Sequence, residues 1–258
     1  MDSLNKVLLV TRYTFVEVIK SKIMILTAVI GIALLLISFI GSEFTYGVPE
    51  RVALDFGMGM LTISAVAIAI FMGVTLISKE VETRTVHMIL ARPVTRWSFL
   101  LGRMFGISSV LFLNISILGV LTIAFYLYLG GNYSSLLIWS LFFAFLESIL
   151  MLMVVVFFSL LTNITASVIY SVIIYFAGHG ISELMNLTFV KANSLFQVLV
   201  SGFSIVIPDL SKLNIKNHLV YNADVPFDYL IGTSIYSLFY FFTLILITVF
   251  IFNKKSLD

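Results

Sequence analysis

The side chains able to do chemistry in this sequence are few and unevenly placed. The densest group lies in ISKEVETRTVHMILARPVTRWSFLLGR, from Ile77 to Arg103, which holds five of the fifteen Lys and Arg residues and two of the thirteen carboxylates. Its members Lys79, Glu80, Glu82, Arg84, Thr85, His87, Arg92 and Arg96 suit charge-paired docking. Glu147 is different, because it stands alone inside a long apolar run, LFFAFLESILMLMVVV. A charge at the middle of a membrane helix costs about 2.5–3.5 kcal/mol on insertion scales, so such a residue faces a bundle interior, is paired, or is protonated. Two readings stand: Glu147 lines or gates a pathway, or it is a neutral acid bonded to Ser148 or to a hydroxyl on a neighbouring helix.

The remaining candidates point away from catalysis. His87, His179 and His218 are dispersed, with no zinc-site spacing. His179 lies between Gly178 and Gly180, where a hydrogen-bonded structural role fits better than a metal ligand. Ser204, in GFSI, has only His179 near it, too little for a nucleophile–base pair or an intramembrane protease. There is no cysteine, hence no disulfide framework and no thiolate metal site. Asn132, Asn163 and Asn186 each begin an Asn-x-Ser/Thr match, a pattern that arises easily by chance. No catalytic residue, metal site or cofactor is expected on this chain.

The elements that must position these residues follow from composition. The chain is 60% hydrophobic and 11% charged, with mean hydropathy +1.13. Soluble domains carry about 25% charged residues. The apolar runs are long enough to cross a bilayer, and in hydrocarbon each must be a helix. Six spans are predicted: 23–40, 56–77, 98–129, 136–161, 164–177 extending to Leu184, and 229–252. The fold class is an all-α polytopic membrane protein in a single domain, residues 1–258. The start is not read as a cleavable signal, since Lys6, Arg12, Lys20 and Lys22 spread through it and no small-residue cleavage site follows. Residues 1–22 form a predicted amphipathic helix, with Leu4, Val7, Leu8, Phe15, Val18 and Ile19 on one face and Lys6, Glu17 and Lys20 opposite. It is expected to lie at the cytoplasmic interface, among lipid head groups.

Lys and Arg set the orientation. With the N-terminus inside, the internal segments hold Lys6, Arg12, Lys20, Lys22, Lys79, Arg84, Arg92, Arg96, Arg103, Lys254 and Lys255, against Arg51, Lys191, Lys212 and Lys216 outside. Both termini are therefore expected in the cytoplasm, in a cell's inner membrane. Asp55 then enters the second span from outside, either as a helix cap or as a contact to the outer segment. Residues 182–228 are expected outside, with the apolar stretch FQVLVSGFSIVI as short helices dipping into the outer leaflet. The rival is a seventh span, which would place Lys254 and Lys255 outside.

In this orientation residues 78–97 face the cytoplasm. The second span's helix continues into water until Pro93 ends it, and Thr95 is positioned to cap the next helix. Glu80, Arg84 and His87 share a polar side, while Val81, Thr85, Met88 and Ile89 form an apolar strip. A charged face beside a small apolar strip suits a groove on another protein.

The stretch DFGMGMLTISAVAIAIFMGVTLISKEVETRTVHMILARPVTRWSFLLGRMFG resembles the permease subunits of type-2 ATP-binding-cassette (ABC) exporters. The shared pattern is filled by Glu80, Glu82, Arg84, Thr85, Leu90, Arg92, Pro93, Val94, Arg96, Gly102 and Arg103. Looser likeness continues through LLTNITASVIYSVIIYFAGHGISEL, with its Gly178-His179 pair, and IPDLSKLNIKN. The subset that looks closest includes the nitrous-oxide-reductase maturation permease. The resemblance implies a permease that couples ATP hydrolysis on a partner chain to export of an unknown substrate or to force transmission across the membrane. The segment holding Lys79, Glu80, Glu82, Arg84, Thr85, His87, Arg92 and Arg96 would be its coupling helix. The sequence contains no phosphate-binding G-x-x-x-x-G-K-[ST] loop, so ATP and Mg are expected on a separate cytoplasmic ABC ATPase, in two copies. A second permease chain, as a homodimer, and membrane lipid complete the expected partners, and nucleic acid is not among them. Gly102 and Gly106 have the small-xxx-small spacing that permits close helix approach. Glu147, Asp55 and His179 are the candidate pathway or gate residues. The alternative is an ion-coupled secondary transporter using Glu147, which lacks the inverted repeat and broken-helix glycine pairs that such carriers show.

Overall fold

The computed structural model describes residues 3–45, 47–82, 95–221 and 223–254, and their side chains except at 3, 23, 24, 76–82 and 96. In chain order these residues form α1 (Ser3–Lys20), α2 (Ile23–Glu43), α3 (Pro49–Glu82), α4 (Arg96–Tyr128), α5 (Ser135–Leu161), α6 (Ile164–Asn186), α7 (Thr188–Ala192), α8 (Ser194–Val206), a 3-10 turn (Leu210–Leu213), α9 (Lys216–Val220) and α10 (Phe227–Lys254). No strand occurs among the described residues, so the predicted all-α class holds. Six of the helices, α2, α3, α4, α5, α6 and α10, are long and apolar enough to cross a membrane.

Local chemistry sets several boundaries. Thr95 is in an extended conformation and its hydroxyl accepts from Ser98 N–H at 3.3 Å, so it caps α4 as the sequence predicts. Asn163 caps α6 the same way, its Oδ1 accepting from Ala166 N–H at 2.9 Å, which gives that Asn-x-Ser/Thr match a structural role. Gly130, with φ of 98°, follows the end of α4 in the left-handed conformation that glycine adopts without strain. The helix expected to begin at residue 56 begins at Pro49 instead. Proline suits a first turn, because its missing N–H would have had no helical partner there.

Helix α5 is the centre of the bundle. Its membrane-crossing window is 67% buried, against 22% for α2, α6 and α10. Close contacts need missing side chains. A Cβ on Gly73 of α3 would fall 2.2 Å from a methyl of Val155 on α5, and one on Gly57 would fall 2.3 Å from Thr122 on α4. Polar atoms tie the other spans: Asn114 of α4 donates to Thr27 of α2 at 2.8 Å and accepts from Ser64 of α3 at 3.3 Å. Meanwhile α2, α6 and α10 turn rows such as Ile25, Val29, Ile32 and Leu36 outward. Exposed apolar stripes of that length mark contact with lipid or another protein.

Helix α1 packs on the start of α4 with a face partly different from the expected one. Thr14 and Val18 are buried there, while Leu4 and Leu8 are exposed. The groove that receives it is made by glycines: a Cβ on Gly102 would sit 2.6 Å from Val10, and one on Gly106 would sit 2.5 Å from Thr14. The small-xxx-small pair therefore serves a helix contact within one chain. Arg103 closes the contact by donating to Glu17 at 2.5 Å. Overpacking costs about 1–3 kcal/mol, so Gly106→Leu should destabilise the purified chain by that order and release α1. A thermal unfolding curve matching the parent protein would contradict this packing.

Candidate functional site

The predicted site residues divide into two groups. Lys79, Glu80 and Glu82 belong to the last turns of α3 and Arg96 begins α4, while their side chains, with Arg84, Thr85, His87 and Arg92, lie outside the described residues. The second group, Asp55, Glu147 and His179, is brought together around one segment, residues 207–220.

That segment begins where a helix fails. Helices α8 and the 210–220 stretch meet at a bend of 59°. Between them lie Ile207, Pro208 and Asp209; proline offers no N–H and the residue before it avoids helical angles. The chain then turns inward, burying Leu210, Leu213, Ile215 and Leu219. Gly178 of α6 makes room, since a Cβ there would lie 2.6 Å from the Pro208 carbonyl oxygen.

Non-helical backbone at this depth needs internal partners, and tyrosines of α10 supply them. The Asp209 N–H donates to the Tyr236 hydroxyl at 2.8 Å. Tyr229 donates to the Lys212 carbonyl at 3.1 Å, and Tyr240 to the Ile205 carbonyl at 2.8 Å. The Asp209 carboxylate, nearly buried, accepts from Ser182 of α6 at 2.7 Å and from Ser211 at 2.6 Å. The Lys212 ammonium lies 3.5 Å from it and 4.7 Å from the Tyr236 ring centre. Sequence reasoning missed Asp209 and the three tyrosines. Their signal is the spacing of Tyr229, Tyr236 and Tyr240, which share one helical face opposite a polar, proline-broken stretch.

Asp55 pairs with Lys216 of α9 at 2.9 Å. It is the seventh residue of α3, so the helix-cap reading gives way to the contact with the 207–220 segment. Glu147 sits at the middle of α5, with 1% of its surface exposed. Ser148, its expected partner, donates instead to the Ala144 carbonyl at 2.7 Å. The nearest charge partner is His179, whose Nε2 lies 3.2 Å from Glu147 Oε1. The contact is close but not aligned as a hydrogen bond: Glu147 Oε1 and His179 Nδ1 are both buried without a hydrogen-bond partner among the described residues. Tyr175 packs on the imidazole, ring centres 4.7 Å apart. A cavity of about 20 Å³ beside Glu147 is lined also by Thr62, Ser140, Asn214 and Lys216.

The arrangement places a buried acid beside an imidazole and a lysine-bearing segment. No cluster of three metal-ligating side chains occurs among the described residues. Removing the acceptor of a buried N–H costs about 1–3 kcal/mol. Tyr236→Phe should therefore loosen residues 207–220 and lower hydrogen-exchange protection there by about five- to a hundredfold; unchanged protection would show that Asp209 N–H has no need of this hydroxyl.

No curated protein matches the chain. A family model described as ABC-2 family transporter protein matches residues 11–253, nearly the whole sequence. With six membrane-length helices in one bundle, the chain belongs to the ABC-2 transporter family as the multi-pass membrane permease subunit of an ABC transporter.

Proposed function

We propose that this permease draws its energy from a separate cytoplasmic ATPase docked on residues 78–97, and uses it to export a substrate or transmit force across the membrane. The observation that carries this reading is the length of α3. It runs without a break from Pro49 to Glu82, about 50 Å at 1.5 Å per residue. One end carries Asp55, bonded to the outer segment. The other carries Lys79, Glu80 and Glu82, the start of the charged stretch. A continuous helix of that length passes a push from one end to the other. Lys79, Glu80, Glu82, Arg84, Thr85, His87, Arg92 and Arg96 are the docking residues in this reading, and Asp55, Glu147 and His179 belong to the gate at the outer end.

Two ATPase copies and two permease chains complete the assembly. The outward apolar faces of α6, and of α8, which buries no residue, support a second identical chain at that edge. Both termini lie in the cytoplasm, and the membrane is a cell's inner membrane; the concentration of Lys and Arg in the connections on one side supports this orientation.

The docking assignment is tested by reversing charge. Glu80→Lys combined with Glu82→Lys should lower the ATPase recovered with the permease after mild detergent extraction by at least about tenfold, some 1.4 kcal/mol of binding. Glu43→Lys, at the end of α2, should leave recovery intact. A double variant that assembled and hydrolysed ATP like the parent complex would place docking elsewhere.

A further inference from the structure

We propose that Glu147 and His179 form a single-proton binding site inside the bundle, and that the proton's position decides whether α5 and α6 are tied together. The inference rests on assigning these residues to the gate. It adds what the gate binds.

The geometry carries three arguments. First, Glu147 Oε1 and His179 Nε2 are 3.2 Å apart, within reach of proton transfer. Second, neither extreme state is fully accommodated. With the proton on His179 Nε2 the pair is ionic; in either state the Nδ1–H of the ring has no acceptor among the described residues. With the proton on Glu147 both groups are neutral and the charge attraction is gone. Third, the cavity of about 20 Å³ beside Glu147 has the volume of a single water. Its polar lining includes Thr62 on α3 and Asn214 and Lys216 on the outer segment.

The transfer balances within the pair. The N–H bond at His179 Nε2 breaks as an O–H bond forms at Glu147 Oε1; this step moves the proton within the pair, and raising the pH removes it from the pair to bulk water. Separating two ions in a low-dielectric interior costs far more than separating two neutral groups. The spans can therefore part readily only with the proton on the carboxyl. Several other groups set this balance. On α6 these are Tyr175, packed on the imidazole, and Glu183, whose charge acts on His179. From the outer segment, Asp209 also acts on His179, and Lys212 pairs with Asp209. Lys216 lines the cavity and is held by Asp55 of α3. Tyr229, Tyr236 and Tyr240 of α10 fasten the segment over the site. On α5 itself Glu147 is the only charged residue.

The carboxyl C=O stretch of a protonated acid in infrared difference spectra reports the proton directly. The sample is the full chain in detergent, titrated from about pH 4 to about pH 9, the range in which buried carboxyls titrate. The parent protein should show a protonated-carboxyl band that Glu147→Gln removes. His179→Asn should shift that band's midpoint by about 1–3 pH units, as expected for a charge partner within about 4–6 Å. Asp209→Asn should leave the band present. In hydrogen exchange, Glu147→Gln should lower protection at residues 175–186 by about tenfold while the α4 core keeps its protection. Absence of any Glu147-dependent band, an unmoved midpoint in His179→Asn, or unchanged exchange would each overturn the shared proton. No ATPase or nucleotide is present in these measurements. Failure here therefore leaves the docking assignment standing, and failure of docking leaves the proton site standing.

Discussion

A bilayer offers no water to an unpaired amide, so a chain that leaves helical geometry inside it must bring its own partners. This constraint organises the half of the molecule that holds residues 207–220. Pro208 breaks a helix beside the middle of the bundle; the backbone it frees is bonded by phenol groups from α10, and the Asp209 carboxylate is held by Ser182 and Ser211. Gly178 is needed because the Pro208 carbonyl oxygen and the Leu210 side chain occupy the space beside it. The segment thus fastened holds α3 through Asp55 and covers Glu147 through Asn214 and Lys216. One broken helix connects α3, α5, α6 and α10.

The half that holds Thr95 is fastened by different means. There α1 lies against α4 in a groove made by two glycines, and the ion pair of Arg103 with Glu17 closes it. Arg103 ends the charged stretch, yet its partner lies in its own chain. Under the proposed docking, the elements that would be loaded are α3 on one side of the charged stretch and, on the other, an α4 braced by α1. The centre is closely packed, because α5 is the most buried of the membrane-length helices and Gly73 lets α3 approach it. Rigid elements joined at a few polar contacts suit a machine that moves between discrete arrangements.

The long apolar helices and the cap at Thr95 were legible in the sequence, because hydropathy and capping are local properties. So was the cost of Glu147, since a lone acid in an apolar run is costly wherever it lies. Its partner was not legible. Residues 147 and 179 are on different helices, and nothing local says that α6 turns His179 toward α5. Asp209 was hidden for a related reason. It reads as an ordinary surface acid until the folded chain surrounds it with Ser182, Ser211 and Tyr236. The face of α1 was partly misjudged because amphipathic pattern alone cannot distinguish apolar residues facing lipid from those facing α4. Broken-helix glycine pairs were the sign sought for an ion-binding carrier, whereas here the break is made by proline.

The central claim is that residues 207–220 close the bundle on the side opposite Thr95. Three membrane-length helices, α4, α5 and α6, separate the two places. The chain has no native cysteine, so single cysteines report position cleanly. In sealed vesicles, a membrane-impermeant thiol reagent should reach a cysteine replacing Thr95 from one side only, and one replacing the exposed Ala223 from the other side only. A cysteine replacing the buried Ile215 should resist the reagent from both. Labelling of the first two from the same side, or free labelling at position 215, would contradict the account.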